Sequence, residues 1–148
     1  MQLNHMPKPT VERFQKNAQD YFRKWGYLRV LGSLDGKHIR IKCPPNPGSM
    51  FYNYKHFFSI VLMAVADANY KFVMIDVGAY GKDSDGGVFA NTLFYKDLES
   101  GKTILPSEST LPNSTLKAPY VFLGDEAFPL RTYLMRPFPA KQVLGNSE

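Results

Sequence analysis

The sequence predicts a single α/β domain in which a mixed sheet, three antiparallel strands in succession plus one parallel strand, is flanked by helices. Apolar residues recur every three or four positions in residues 11–25, which indicates an amphipathic helix. Residues 38–78 contain successive runs of β-type residues separated by turn residues. With 148 residues, of which 44% are hydrophobic, the chain has room for one core and the side chains to fill it.

The first predicted element is a helix that begins after Thr10 and ends near Gly26. Its apolar positions are Val11, Phe14, Ala18, Phe22 and Trp25. Thr10 is the expected N-cap because its hydroxyl can accept a backbone N–H, and Glu12 in the first turn is favoured by the helix dipole. Residues 1–26 are therefore expected to form a leader and this helix.

Three strands are expected next. In the first of them, Ile39, Ile41 and Cys43 are expected to face the core, opposite a basic face of His38, Arg40 and Lys42. Residues 57–66 are almost continuously apolar, which is typical of a strand covered on both faces. The turn residues Asp67, Ala68 and Asn69 then predict a hairpin whose returning strand is residues 70–78.

A loop, a helix and a fourth strand follow in the second half. Residues 78–87 are rich in glycine and predict a loop, and Val88, Leu93, Phe94 and Leu98 predict one helix of about three turns that Gly101 ends. Residues 102–119 contain three prolines and predict a surface excursion, after which residues 120–123 predict a short buried strand.

The long connection before this fourth strand permits it to pair parallel with the first strand. Such pairing would bring Asp35, at the start of the first strand pattern, close to Asp125, which follows the fourth strand. A second short helix is expected after Pro129, and residues 140–148 are expected to be a frayed tail.

Asp35 and Asp125 are the carboxylates best placed for chemistry. Gly36, next to Asp35, permits a bulge or a close backbone approach of the kind found near functional sites. Two acids at adjacent strand ends can hold hard divalent cations, and two such cations can activate the attacking oxygen and stabilise the leaving oxygen of a phosphodiester. The structural alternatives are a turn aspartate for Asp35 and a helix N-cap for Asp125.

The glycine-rich loop contains two further acids, Asp83 and Asp85. The D-x-D-G fragment they form resembles part of a calcium loop, but no Glu stands at the bidentate position. An N-cap role for Asp85 is the expected alternative.

The net charge of +5 is concentrated in one part of the chain. Residues 1–60 carry ten Lys or Arg and three Asp or Glu, a net of +7, and residues 61–148 carry eight and ten, a net of −2. The cations Arg40, Lys42, Lys55 and His56 surround the aromatic residues Phe51, Tyr52 and Tyr54. This combination suits phosphate binding and base stacking, and a hairpin packed by its own tyrosines is the structural alternative.

Composition also excludes several classes of protein. The longest apolar run, residues 60–66, is far shorter than the roughly 18 residues of a membrane span, so no membrane partner is expected. A single cysteine, Cys43, excludes an internal disulfide. The N-terminus lacks the apolar region of a secretory signal, and an intracellular protein is expected.

Four segments together resemble the nuclease domain of PIF/Harbinger-type transposases and the domesticated nucleases derived from them. They are GSLDGKHIRIKCP, FYNYKHFFSIVLMAVADANYKF, VGAYGKDSDGGVF and YVFLGDEAFPLRTYLMRPFP, in this order. The resemblance implies an RNase H-like fold and a DDE triad that binds two Mg²⁺ or Mn²⁺ ions. It also implies hydrolysis or strand transfer at DNA phosphodiesters.

The resemblance assigns roles to three aspartates. Asp35 in LDGKH matches the first catalytic acid and metal ligand of the family, and Asp125 in LGDEAF matches the second. Asp85 corresponds to a further acidic position and is a third candidate metal ligand, although Ser84 stands where many members have His. The candidate DNA contacts are His38, Arg40, Lys42, Tyr54, Lys55 and His56.

The family's third acid lies on a helix beyond the second aspartate, in a segment with Asn, Arg and Glu that does not appear before Glu148. Residues 27–139 are therefore expected to be a DDE nuclease domain truncated before that acid, with a C-terminally incomplete fold.

The resemblance further implies a nuclear location, with the cytoplasm as a second location. It also implies DNA as the partner and a separate Myb-like DNA-binding protein as a second partner. Two alternatives stay open. One is a catalytically inactive, transposase-derived module that only binds DNA or protein, and the other is an α/β domain whose acids are structural.

Overall fold

The structure, a computed structural model, describes residues 6–137. Within that range the helices are α1 (Val11–Trp25), α2 (Asp85–Asn91) and α3 (Leu93–Glu99). The strands are β1 (Val30–Arg40), β2 (Ser59–Ala66), β3 (Phe72–Tyr80), β4 (Ser109–Thr110), β5 (Lys117–Ala118), β6 (Val121–Leu123) and β7 (Leu134–Met135). The predicted α/β class is confirmed.

One mixed sheet of five strands organises the described residues. Its order is β3-β2-β1-β6-β7, with β1–β2 and β2–β3 antiparallel and β1–β6 and β6–β7 parallel. The predicted antiparallel succession of three strands and the parallel fourth strand are both present. The arrangement is compatible with an RNase H-like fold. The core between sheet and helices is built from residues such as Phe14, Leu31, Val65, Phe89 and Phe122, all at most 1% exposed.

Helix α1 forms where the apolar periodicity predicts it. The hydroxyl of Thr10 caps its first turn by accepting the Arg13 N–H at 3.2 Å, and Gly26 ends the helix in the left-handed conformation with φ 73°. The Tyr21 hydroxyl lies 2.8 Å from Ser33 Oγ and donates to Ala66 O at 3.0 Å, which ties α1 to β1 and β2.

Strand β1 differs from its prediction at both ends. It begins at Val30 and stops at Arg40, so that Lys42 and Cys43 lie beyond it. Its residues up to Leu34 are buried except for the half-buried Ser33. The expected burial of Ile39 is wrong, since 37% of this residue is exposed. Helix α1 packs against the first half of β1 and leaves the second half open, which is why the alternation of residues 38–43 does not report a core.

The single three-turn helix expected around residues 88–101 is instead two short helices. Thr92, in the extended conformation, separates them; its hydroxyl donates to Phe89 O at 2.7 Å and accepts the Tyr95 N–H at 3.1 Å. Helix α2 also begins inside the expected loop. Its N-cap is Ser84 rather than Asp85, because Ser84 Oγ accepts the Gly87 N–H at 3.2 Å.

The helix expected after Pro129 is also wrong: within the described residues the chain forms turns and then β7. Phe122 N donates to Tyr133 O at 2.7 Å and Gly124 N to Met135 O at 2.9 Å, so this segment satisfies the outer edge of β6. Residues 102–119 are largely exposed and include the β4–β5 hairpin, as expected for a surface excursion. The frayed tail expected at residues 140–148 lies outside the described residues. No helix in the described part is long and apolar enough to cross a membrane.

Candidate metal centre

Three aspartates from three different elements meet beside β1. Asp35 belongs to β1, Asp85 is the first residue of α2, and Asp125 follows β6. One carboxylate oxygen from each lies within 4.8 Å of the other two. Parallel pairing of Ser33 with Leu123 brings the chain after β6 level with Asp35, as the predicted topology requires.

Gly36 allows Asp85 to lie against the strand. A Cβ atom at Gly36 would lie 2.6 Å from Asp85 Cγ, far inside van der Waals contact. The sequence predicts either a bulge or a close backbone approach at Gly36. The pairing of β1 with β2 is continuous from Ser33 to Arg40, so this ladder contains no bulge at Gly36, and the close approach is the role that the structure shows. Gly86 allows a similar close approach, since a Cβ atom at this position would lie 2.5 Å from Ala127 O.

The cluster concentrates negative charge. Burial raises the pKa of the Asp85 carboxyl, the charges of Asp125 and Asp35 raise it further, and His38 and Lys55 lower it. The ion pairs formed between described residues include none of these three aspartates. A bound cation would therefore relieve the repulsion among the three carboxylates.

The donor set fits a hard divalent metal ion. Carboxylate oxygens are the ligands that Mg²⁺ and Mn²⁺ prefer, whereas zinc sites commonly use His and Cys. Asp35 and Asp125 are exposed, and Asp85 is half-buried, so ligands or water can reach the cluster from solvent. The residues that would hold such an ion are Asp35, Asp85 and Asp125.

The two structural alternatives for the aspartates do not match the structure. Asp35 lies within β1, flanked by paired residues on both sides, rather than in a turn. Asp125 Oδ1 accepts the Ala127 N–H at 2.9 Å in a turn that no described helix follows, so Asp125 is not a helix N-cap.

A groove of about 650 Å³ opens beside the carboxylates and has a basic, aromatic side. His38, Tyr54 and Lys55, three of the predicted nucleic-acid contacts, line it together with Asp85 and Asp125. Tyr54 is 74% exposed, and the Lys55 ammonium lies 5.6 Å from the centre of its ring.

The other three predicted contacts do not line this groove. The Arg40 guanidinium lies 4.1 Å from the centre of the Phe57 ring, His56 packs beside Tyr52 at 6.2 Å, and Lys42 is exposed beyond β1. Tyr52 also packs on Phe58 at 5.3 Å, so part of the aromatic group packs on itself, as its structural alternative predicts.

Residues that the sequence analysis did not single out also contribute. Lys37 and Lys82 line the groove. Lys82 stands three positions before Asp85 in the glycine-rich loop, and a cation so close to a candidate metal ligand is a sequence feature that could have identified it as a phosphate contact. Asn53 and Ser59 are buried behind His38. Nothing in their local sequence distinguishes them from turn and strand residues.

A carboxylate cluster on a mixed sheet, beside a groove lined by Lys37, Lys55 and Lys82, is a candidate metal centre. Residues 34–148 match the family described as DDE superfamily endonuclease, and the chain belongs to this family, in its Harbinger-type, transposase-derived branch.

Two curated relatives are similar over most of the chain. The chain is 31% identical over 118 residues to Protein ALP1-like of Arabidopsis thaliana, and the aligned region covers 78% of this chain and 29% of the relative. It is 24% identical over 129 residues to Putative nuclease HARBI1 of Mus musculus, and the aligned region covers 87% of this chain and 33% of the relative. The chain thus spans about a third of the length of these relatives. No solved structure matches it significantly.

Proposed function

We propose that this chain carries a divalent-metal centre for cleavage of DNA phosphodiesters, on an RNase H-like sheet. Asp35 and Asp125 are the catalytic acids, and Asp85 completes the metal ligands. The observation that carries the proposal is the meeting of three carboxylates within 4.8 Å beside a basic groove. Membership of the DDE endonuclease family and the similarity to a relative named a putative nuclease support it.

The proposed division of labour follows from the chemistry of each side chain. Mg²⁺ or Mn²⁺, when bound, would supply Lewis-acid activation of the attacking oxygen and neutralise charge on the leaving oxygen. The three carboxylates would bind and orient the ion. Lys55 and Lys82 attract the phosphate backbone into the groove, and the exposed ring of Tyr54 offers a face on which an unpaired base can stack.

Two further expectations accompany this proposal. A DNA substrate implies a nuclear location and is consistent with a separate Myb-like protein that supplies sequence recognition. Residues 27–139 are the proposed nuclease domain, with residues 1–26 as leader and helix. Helix α1 contributes Phe14 and Ala18 to the same core as the sheet.

A DNA-binding module without catalysis is the second candidate. The basic groove favours it, because phosphate attraction needs only Lys55, Lys82 and their neighbours, and not the acids. The two candidates differ in whether loss of a carboxylate abolishes a chemical step.

Nicking of supercoiled plasmid in Mn²⁺ separates the two candidates. Asp35→Asn, Asp85→Asn and Asp125→Asn each keep the shape of the side chain and remove a charged ligand, so we expect each to lower the nicking rate by about a hundredfold or more. Glu126→Gln is the matched control, since Glu126 is exposed beside Asp125 and lies outside the cluster. Equal nicking by the wild type and Asp35→Asn would remove the catalytic assignment.

A further inference from the structure

A chain of buried polar side chains lies behind His38. Asn53 Nδ2 donates to Ser59 Oγ at 2.8 Å, and Ser59 Oγ lies 2.9 Å from His38 Nδ1. Ser59 is 0% exposed and Asn53 3% exposed. Buried polar groups of this kind are held in place by their partners, because water cannot replace a lost hydrogen bond.

The orientation of the Asn53 amide is set by the backbone. Its Oδ1 accepts the Lys55 N–H at 2.9 Å and the Phe57 N–H at 3.4 Å. An amide nitrogen cannot accept either hydrogen bond, so the oxygen must face these two donors. The amide nitrogen therefore faces Ser59 and acts as a donor.

This orientation fixes the proton of Ser59 and then that of His38. Asn53 donates to one lone pair of Ser59 Oγ, and the proton of this fully buried hydroxyl needs an acceptor of its own. Among the hydrogen bonds of the described residues, His38 Nδ1 is the acceptor within reach of that proton. A neutral His38 ring that accepts at Nδ1 carries its proton on Nε2. The hydrogen-bond chain thus selects one tautomer.

The ring itself is held at the groove. It packs edge-on against Tyr54 at 5.7 Å and Phe57 at 6.5 Å, and it lines the groove beside Asp85 and Asp125. Gly81 keeps space for the hydrogen-bond chain, since a Cβ there would overlap Ser59 Oγ and lie 2.6 Å from Ser59 O. With Nδ1 engaged by Ser59, Nε2 is the ring nitrogen left for a ligand in the groove.

We propose that Asn53 and Ser59 are positioning residues that hold His38 as an Nε2–H donor to a phosphate oxygen of DNA bound at the aspartate cluster. This inference rests on the proposed function. Phosphate oxygens only accept hydrogen bonds, so the opposite tautomer would direct a lone pair at an anion. The relay gives the groove a directed N–H donor next to the acids, in addition to the lysine charges.

The tautomer can be measured without DNA or metal. Long-range ¹H–¹⁵N correlation spectra of the ¹⁵N-histidine-labelled chain, recorded where the ring is neutral, distinguish the two tautomers, and His38→Gln assigns the signals. We expect the wild type to carry the proton on Nε2. In Asn53→Asp a carboxylate oxygen replaces the donor, so Ser59 should donate to it and accept from His38 Nδ1–H, which reverses the tautomer.

Two outcomes would overturn the relay: a wild-type ring protonated on Nδ1, or no change of tautomer in Asn53→Asp. If Asn53→Asp does not fold, Ser59→Ala makes the same test, because removal of the hydroxyl should release the ring to a mixture of tautomers. An unchanged single tautomer in Ser59→Ala would contradict the inference.

The phosphate contact is tested by fluorescence anisotropy with a labelled DNA duplex in Ca²⁺. We expect Asn53→Asp and His38→Ala each to weaken binding by about tenfold. His38→Gln, which retains an N–H donor at similar reach, should keep most of the affinity. Asn113→Asp adds the same charge in the segment joining β4 and β5 and should change little.

The two arms distinguish failure of the inference from failure of the proposed function. A reversed tautomer in Asn53→Asp with unchanged DNA affinity would overturn the role of His38 as phosphate donor. A wild type that neither binds DNA nor nicks plasmid would remove the proposed function and that role together, whereas the tautomer measurement would still decide the relay.

Discussion

At Gly36 the absence of a side chain decides whether a carboxylate can reach its neighbours. The Asp85 carboxyl occupies the space that a Cβ on β1 would need, at 2.6 Å from Cγ. Because this contact involves the whole carboxyl group, an alanine at this position would force the acid out of its place in the cluster. The metal centre therefore depends on a residue that carries no ligand.

We expect Gly36→Ala to weaken Mn²⁺ binding by about tenfold, the order of effect seen when residues that orient a ligand are changed. Isothermal titration calorimetry measures the affinity, and circular dichroism checks that the sheet is retained. Ile39→Ala, in the same strand and outside the cluster, is the control and should bind like the wild type. Unchanged affinity in Gly36→Ala would show that Asp85 does not contribute to the site.

Single residues were predictable from sequence to the extent that their position on a strand was predictable. Asp35 and Asp125 could be placed together because a parallel fourth strand aligns them. The third member, Asp85, was expected as an N-cap from its local sequence, and only the family resemblance suggested a ligand. Asn53 and Ser59 gave no signal, because their hydrogen bonds depend on tertiary contacts.

At the scale of elements, a break at Thr92 separates α2, which begins with Asp85, from α3. The two short helices turn separately, and this allows Phe89 and Phe94 both to enter the core, at 1% and 6% exposed. Thr92, 2% exposed, caps the end of one helix and the start of the next. Its hydroxyl thus supports the helix that carries Asp85.

We expect Thr92→Ala to lower the free energy of unfolding by about 1–2 kcal/mol, because it removes the N-cap acceptor of the Tyr95 N–H and one of the two hydrogen bonds to Phe89 O. Thr92→Ser keeps the hydroxyl and should cost clearly less. Urea denaturation monitored by circular dichroism gives both values. Equal stability of Thr92→Ala and the wild type would mean that the Thr92 hydroxyl does not stabilise the junction between α2 and α3.

Long elements with a clear period were predictable, and short ones were not. The spacing in α1 and the apolar run in β2 report burial directly, and both elements formed where expected. Strand β7 has two residues, too few for a period, and it exists because the outer edge of β6 needs hydrogen-bond partners. The break at Thr92 likewise depends on a core that the local sequence does not describe.

At the scale of the whole molecule, charge is distributed to suit a polyanion. The net of +7 in residues 1–60 includes Lys37 and Lys55 on the groove wall, whereas Asp85 and Asp125 come from the second part of the chain, whose net is −2. Asp35 of the first part and Lys82 of the second join them, so the fold brings acids and cations from both parts to one place.

DNA affinity should therefore fall steeply with salt concentration. We expect Lys82→Ala and Lys55→Ala each to make the slope of log K against log salt less negative by roughly one unit, since each removes one phosphate contact. Lys102→Ala is the control, because Lys102 lies in a separate groove beside Asp97. Fluorescence anisotropy across a salt series gives the slopes. Equal effects of all three substitutions would indicate non-specific attraction rather than use of this groove.

The central claim is that Asp35, Asp85 and Asp125 form one divalent-metal centre. Electron paramagnetic resonance of free Mn²⁺ during titration with the protein tests it most directly, because bound Mn²⁺ leaves the free-ion signal. We expect the wild type and Glu126→Gln to take up Mn²⁺ equally, and each of the three Asp→Asn variants to bind it about tenfold or more weakly. Binding by all three variants that equals the wild type would contradict the account.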